Sequence, residues 1–218
     1  MPITSITSEK RLLPRAIVLA GGASSRFGTD KAAVDIGGQT LTAFIVDELL
    51  ALFQRVLLVA KAPERLGVIA SDRVRLVRED CPSRATLVGL CTGLQHSDRM
   101  LNYIVGCDMP GIVPEVIREL YRLARTCDAA LRCDADGEWH PLGGFYTKRA
   151  LPLLQRHLAA GNFRLRSIMP DLRIAPLPIE RLRTLDAGLR SFWNVNTPDD
   201  LRSILNGLAT IESASNNR

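Results

Sequence analysis

The sequence predicts an α/β fold, a three-layer sandwich whose central sheet is predominantly parallel. Three observations predict it. Short apolar runs at 16–20, 56–60, 74–77 and 103–107 are bounded by turn residues, as buried strands are. Between them lie segments with apolar residues three and four apart, the pattern of helices with one buried face. Strands and helices alternate along the chain, which favours parallel strands joined by helical crossovers on both faces of one sheet.

Taken in order, the first run ends abruptly in Gly21-Gly22, and the segment to Lys31 has no helical period. Its glycines let the backbone turn tightly and let an anion approach main-chain N–H groups, while Arg26 and Lys31 add positive charge. This describes a phosphate cradle at a strand's carboxyl end, where open α/β sheets place ligands. Ala33–Ile36 reads as a short extended piece and Gly37-Gly38 as a turn. Thr40 can cap a helix to Phe53, with Leu41, Phe44, Ile45, Leu49 and Leu52 on one face. The strand at 56–60 follows, and the next, at 74–77, stops at Glu79-Asp80. Leu87, Leu90, Cys91 and Leu94 trace a helix face. The strand at 103–107 then delivers Asp108 just beyond its end. Pro114 opens a helix lined by Val116, Ile117, Leu120, Leu123 and Ala124.

From about Asp128 the pattern changes: 128–132 and 142–146 read as extended, with Asp136-Gly137 as a turn between them. Helical spacing returns at 148–160 and ends at Gly161. Thr197-Pro198-Asp199-Asp200 starts a last helix, with Leu201, Ile204, Leu205 and Leu208 on its buried face. With no internal repeat or linker, the expectation is one domain over 15–210, an N-terminal tail at 1–14 and a frayed end at 211–218.

The bulk numbers bound the function. A chain of 218 residues supports one sizeable core. No apolar run reaches the length of a membrane span and the start is too polar for a signal peptide, so a cytoplasmic location is expected. Five cysteines, an odd number without Cys-x-x-Cys pairing, argue against a disulfide framework or a zinc site. A net charge of +5 favours anionic ligands. Nucleic acid is disfavoured among them, because aromatics are few and the basic residues are spread along the chain.

The glycine loop fits neither the Walker pattern nor a dinucleotide fingerprint, since Lys31 follows Asp30 and Gly28 stands three places before it. It resembles the Leu-Ala-Gly-Gly-x-Ser-x-Arg-x-Gly-x-Asp-Lys loop of the MobA-like nucleotidyltransferases. Leu19, Ala20, Gly21, Gly22, Ser24, Arg26, Gly28, Asp30 and Lys31 match in register. Cys107-Asp108-Met109-Pro110 is similar to that family's Cys-Asp-x-Pro, and Asp80 corresponds in position to an acid beside the nucleotide. His140-Pro141-Leu142 with Tyr146 resembles a Pro-Leu…Tyr segment on the second-substrate side, and Asn194-Val195-Asn196-Thr197-Pro198 resembles the family's closing motif. The chain departs from the pattern at Ala85-Thr86, where the family tends to have Gly-Pro, which puts the shape of the base-side wall in question.

The resemblance implies a Rossmann-like, nucleotide-diphospho-sugar transferase-like fold and transfer of GMP from GTP to the terminal phosphate of molybdopterin, with pyrophosphate released. It implies catalytic roles for Arg26, Lys31 and Asp108, with Asp108 holding Mg²⁺. It places Leu19, Ala20, Gly21, Gly22, Ser24, Lys31 and Asp80 at the nucleotide. Transient contact with cofactor-loading proteins or molybdoenzyme apoproteins is expected, and neither nucleic acid nor membrane. Gly21 favours GTP over CTP, because the sister cytidylyltransferases carry alanine there. Two alternatives are a cytidylyltransferase using CTP and a non-catalytic molybdopterin carrier or insertion chaperone. Retention of Arg26, Lys31 and Asp108 together argues against the carrier. Asn194 and Asn196 fit either loop-locking or hydrogen bonds to a pterin. The arginines at 164, 166, 173, 181 and 183 fit either a solvated face or a contact with pterin phosphate or a partner protein.

Overall fold

The computed structural model describes residues 15–21, 34–36, 38–81, 83 and 85–215. The apolar runs form β1 (Arg15–Leu19), β2 (Val56–Ala60), β3 (Val74–Arg78) and β4 (Leu101–Gly106). Helices α1 (Leu41–Leu52), α2 (Thr86–His96) and α3 (Pro114–Leu123) alternate with them. β5 (Ala129–Cys133) and β6 (Trp139–Thr147) follow, then α4 (Leu151–Ala159) and α5 (Leu165–Ile168). β7 (Ile174–Pro178), α6 (Ile179–Leu185) and α7 (Pro198–Ser215) complete the fold.

One seven-stranded sheet has the order β3-β2-β1-β4-β6-β5-β7. Every neighbouring pair is parallel except the two made by β6. The sheet is buried on both sides. Ala16 and Val18 of β1 point into a core shared with α1, α3, α6 and α7, whereas Ile17 and Leu19 point into one shared with α2, α4 and α5. Period-two alternation between two covered faces explains why these strands read as unbroken apolar runs.

Local chemistry accounts for the helix ends. The Thr40 hydroxyl accepts from the Ala43 N–H at 3.1 Å, the expected cap of α1. At α7 the Thr197 hydroxyl accepts from the Asp200 N–H at 3.1 Å while the Asp200 carboxylate accepts from the Thr197 N–H at 2.8 Å. This is a reciprocal capping box. The helix expected over 148–160 is split, with a 3₁₀ turn at Lys148–Ala150 and α4 beginning at Leu151. Pro152 lacks the N–H that a continuous α-helix would donate to Lys148. Gly161, at φ +76°, ends α4 as expected.

Sequence patterning missed β7, α5 and α6. Pro176 and Pro178 break the usual strand composition, but β7 is an edge strand pairing with β5 alone, where a missing N–H is tolerated. The five cysteines are free thiols. No helix among the described residues is long and apolar enough to cross a membrane.

Candidate active site

The sheet order reverses direction between β1 and β4, and the crevice at their carboxyl ends is where such sheets bind ligands. The Cys107 N–H donates to the Leu19 carbonyl at 3.0 Å, joining the exits of β1 and β4, and the Ala20 N–H donates to the Val59 carbonyl of β2 at 2.8 Å. Leu19 is the last residue of β1, and Ala20 and Gly21 leave the sheet at the crevice. Gly22, Ser24, Arg26 and Lys31 lie outside the described residues.

Beside this exit the sequence pointed to Asp80, which is exposed, while its neighbour Glu79 is only 4 % exposed. The Glu79 carboxylate sits between two glycines. A Cβ on Gly21 would lie 3.2 Å from Glu79 Oε2, and one on Gly89 would lie 3.1 Å from it. Among the described residues Glu79 Oε1 has no hydrogen-bond partner, and burial pushes the carboxyl pKa up, opposed by the Lys61 ammonium. Lys61 itself donates to the Cys81 carbonyl at 3.0 Å. Gly21 thus makes room for a buried acid at the exit of β1.

Asp108 stands half-buried just past β4, its carboxylate folded back over Gly106, where any Cβ would collide with Oδ1. Its main-chain carbonyl accepts the Val195 N–H at 2.8 Å, bringing the closing motif to the end of β4.

From Asp108 a cleft of about 590 Å³ opens across the sheet's carboxyl edge. The amino end of α2, at Ala85 and Thr86, forms one side and has no side-chain cap, so the positive pole of the helix faces the cleft. Loss of the Gly-Pro pair thus leaves the helix start in place. Arg132, His140, Pro141 and Leu142 form the opposite side, Phe192 and Asn194 come from the loop before α7, and Phe163 to Arg166 form the mouth. Phe163 is 43 % exposed, an aromatic face presented to solvent beside two arginines.

Arg132 was not singled out by sequence and is the most buried cation of the cleft, at 1 % exposure. Its guanidinium donates to the Leu142 carbonyl at 2.6 Å and to the Ser191 carbonyl, and lies 4.6 Å from the centre of the Phe192 ring. Burial pushes its pKa down, while Tyr103 and Asp186 hold it up. His140 meets the same ring edge-on at 4.6 Å and approaches Asp134 at 3.4 Å. Burial and the Arg132 cation hold the His140 pKa below 6.5, against the pull of Asp134. Tyr146 is fully buried and donates its hydroxyl to the Pro141 carbonyl at 2.8 Å, so it pins the His140–Leu142 segment from the core side. Asn194 lines the cleft, whereas the Asn196 main chain binds the Asp200 carboxylate at 2.9 Å. Of the arginine cluster, Arg164 and Arg166 line the cleft mouth, Arg173 pairs with Asp128 and Arg181 with Glu119.

A family model described as the MobA-like NTP transferase domain matches residues 16–175. A molybdenum cofactor guanylyltransferase of Desulfosudis oleivorans is 31 % identical over 191 residues, 85 % of this chain and 91 % of that protein. A probable molybdenum cofactor guanylyltransferase of Nostoc is 32 % identical over 193 residues, 87 % of this chain and 89 % of that one. Among solved structures, molybdopterin-guanine dinucleotide biosynthesis protein A of Archaeoglobus fulgidus superposes with a TM-score of 0.75 at 27 % identity, covering 87 % of this chain and 95 % of its own. The seven-stranded sheet, the crevice at its switch point and the family match over most of the chain agree: the chain belongs to the MobA-like NTP transferase family and is a nucleotidyltransferase.

Proposed function

We propose that the chain transfers GMP from GTP to the terminal phosphate of molybdopterin and releases pyrophosphate. The observation that supports this reading best is the cleft leading from Asp108, at the nucleotide crevice, to a second wall built of Arg132, His140, Phe192 and Asn194. Such a cleft suits two ligands meeting at a shared phosphate. Guanylyltransferase relatives at about one-third identity support GTP as the donor.

The chemistry asked of the protein is positioning and charge neutralisation. Main-chain N–H groups from Gly21 onward would cradle the triphosphate, with Leu19, Ala20, Gly22 and Ser24 around it and Asp80 beside the nucleotide. Arg26 and Lys31 would offset charge on the α-phosphate and the leaving pyrophosphate. The attacking phosphate needs no general base, because its second pKa of about 6 leaves it ionised at neutral pH.

Asp108 fits a hard divalent cation. It is a half-buried oxygen donor on the cleft. A single carboxylate suits Mg²⁺, which keeps water and substrate phosphates in its shell and supplies charge neutralisation there. We place the reaction in the cytoplasm, with delivery to a cofactor-loading protein or a molybdoenzyme apoprotein.

Pyrophosphate release with molybdopterin and Mg²⁺, measured side by side with GTP and CTP, tests the reading. Release that requires molybdopterin and favours GTP supports it. Preference for CTP reassigns the chain as a cytidylyltransferase, and no release with either nucleotide points to a carrier.

A further inference from the structure

We infer that Arg132 is a positioning residue for the acceptor side of the cleft: it clamps the loop before α7 onto β6 and thereby fixes Phe192, His140 and Asn194 against the second substrate. The inference rests on the nucleotide-transfer reading.

Three segments far apart in sequence meet at this guanidinium: β5 supplies it, β6 accepts through Leu142, and the loop accepts through Ser191. The room for it is made by Gly143, at φ +72°, where a Cβ would collide with the guanidinium. The loop is held elsewhere too. The Asp186 carboxylate, itself 2 % exposed, accepts the Ser191 N–H at 2.8 Å. Gly111 lies so close to the Arg190 carbonyl that no side chain fits between them. The Val195–Asp108 hydrogen bond closes the far end. Within this frame Leu189 holds φ +49°, a left-handed conformation unfavourable for leucine that persists only where the surroundings over-determine it.

Stability alone is a poor account of the clamp. Among the described residues Arg132 Nε, Asp186 Oδ1 and Ser191 Oγ are buried without hydrogen-bond partners, although Arg190 Nε lies 3.8 Å from Asp186 Oδ1, and an apolar side chain of similar volume would fasten a loop without a desolvated charge. What the guanidinium provides is direction: two carbonyls at fixed angles and a ring seated over its face. The ring and His140 both line the cleft. β5 lies three strands from β1 in the sheet, so the clamp acts on the half of the cleft away from the nucleotide crevice.

Arg132→Lys keeps the charge but cannot span both carbonyls, and Phe192→Leu removes the ring while leaving the clamp. Steady-state kinetics with GTP and molybdopterin, after circular dichroism has verified the fold, separates the two substrates. Each variant should raise the molybdopterin KM about tenfold or more while the GTP KM stays within about twofold, because misplacement of a binding wall acts on the ligand it contacts. If Arg132→Lys does not fold, Phe192→Leu decides. A molybdopterin KM within twofold of wild type, or a GTP KM that rises by the same factor, overturns the inference. Wild-type enzyme is assayed first. Absence of turnover there removes the transfer reading and the inference with it, whereas wild-type turnover with indifferent variants removes the inference alone.

Discussion

The Val195 N–H donates to the Asp108 carbonyl at 2.8 Å, so the closing loop and the end of β4 share one hydrogen bond where the cleft begins. The bond is main chain to main chain and survives any change of the Asp108 side chain. Asp108→Ala should therefore fold normally and lose about 10²–10³ in transfer rate, roughly 3–4 kcal/mol, by removing charge stabilisation in the transition state. Pyrophosphate release under saturating substrates checks this, and near-wild-type turnover would contradict the role given to the carboxylate. Lys31→Ala should show a loss of the same order.

Two glycines with nearly the same φ separate conformation from packing. Gly143 has φ +72° and its Cβ would strike the Arg132 guanidinium, whereas Gly161 has φ +76° and open space around it. Gly161→Ala should destabilise by about 1–2 kcal/mol, the left-handed penalty. Gly143→Ala should add an overpacking penalty of about 1–3 kcal/mol. Urea midpoints of the two variants give the difference, and equal destabilisation would mean that Arg132 yields without strain.

Glu79 makes stability depend on pH. Its folded pKa is raised above the ordinary 4.5 by burial, so the folded protein binds the proton more tightly than the unfolded chain. The favourable contribution is present below about 4.5 and is lost as pH rises through the folded pKa. Glu79→Gln should therefore gain stability relative to wild type on going from pH 5 to pH 8. Denaturant midpoints at both values check it; an unchanged difference would place the carboxylate in a better-solvated setting.

His140 works in the opposite direction. Burial, then the Arg132 cation, keep its folded pKa below 6.5, so stability is full above 6.5 and is lost as pH falls through the folded value. NMR titration should give a midpoint under 6.5, and Arg132→Lys should leave it there, since the charge remains. A midpoint at or above 6.5 would show that Asp134 outweighs burial.

Much of the fold was legible because burial on both sheet faces forces apolar runs, and because caps such as Thr40 and Thr197 carry local chemistry. Asp108 was legible for the same reason, as an acid at the exit of a buried strand. β7 was hidden by two prolines that an edge strand tolerates. Arg132 was hidden because its partners at Leu142 and Ser191 are brought to it only by tertiary structure. Glu79 could not be told from Asp80, since what buries it is the pair of glycines at 21 and 89, contributed by other segments. At the Ala85-Thr86 departure from the family pattern, α2 begins with Ala85 as its N-cap residue.

The central claim is that the innermost phosphorus of the nucleotide is transferred to an organic phosphate. GTP labelled on the α-phosphorus, incubated with the protein, Mg²⁺ and molybdopterin, tests it most directly. The label should move into the pterin product in step with pyrophosphate release; label that stays in GTP, or appears only as GMP, would contradict transfer.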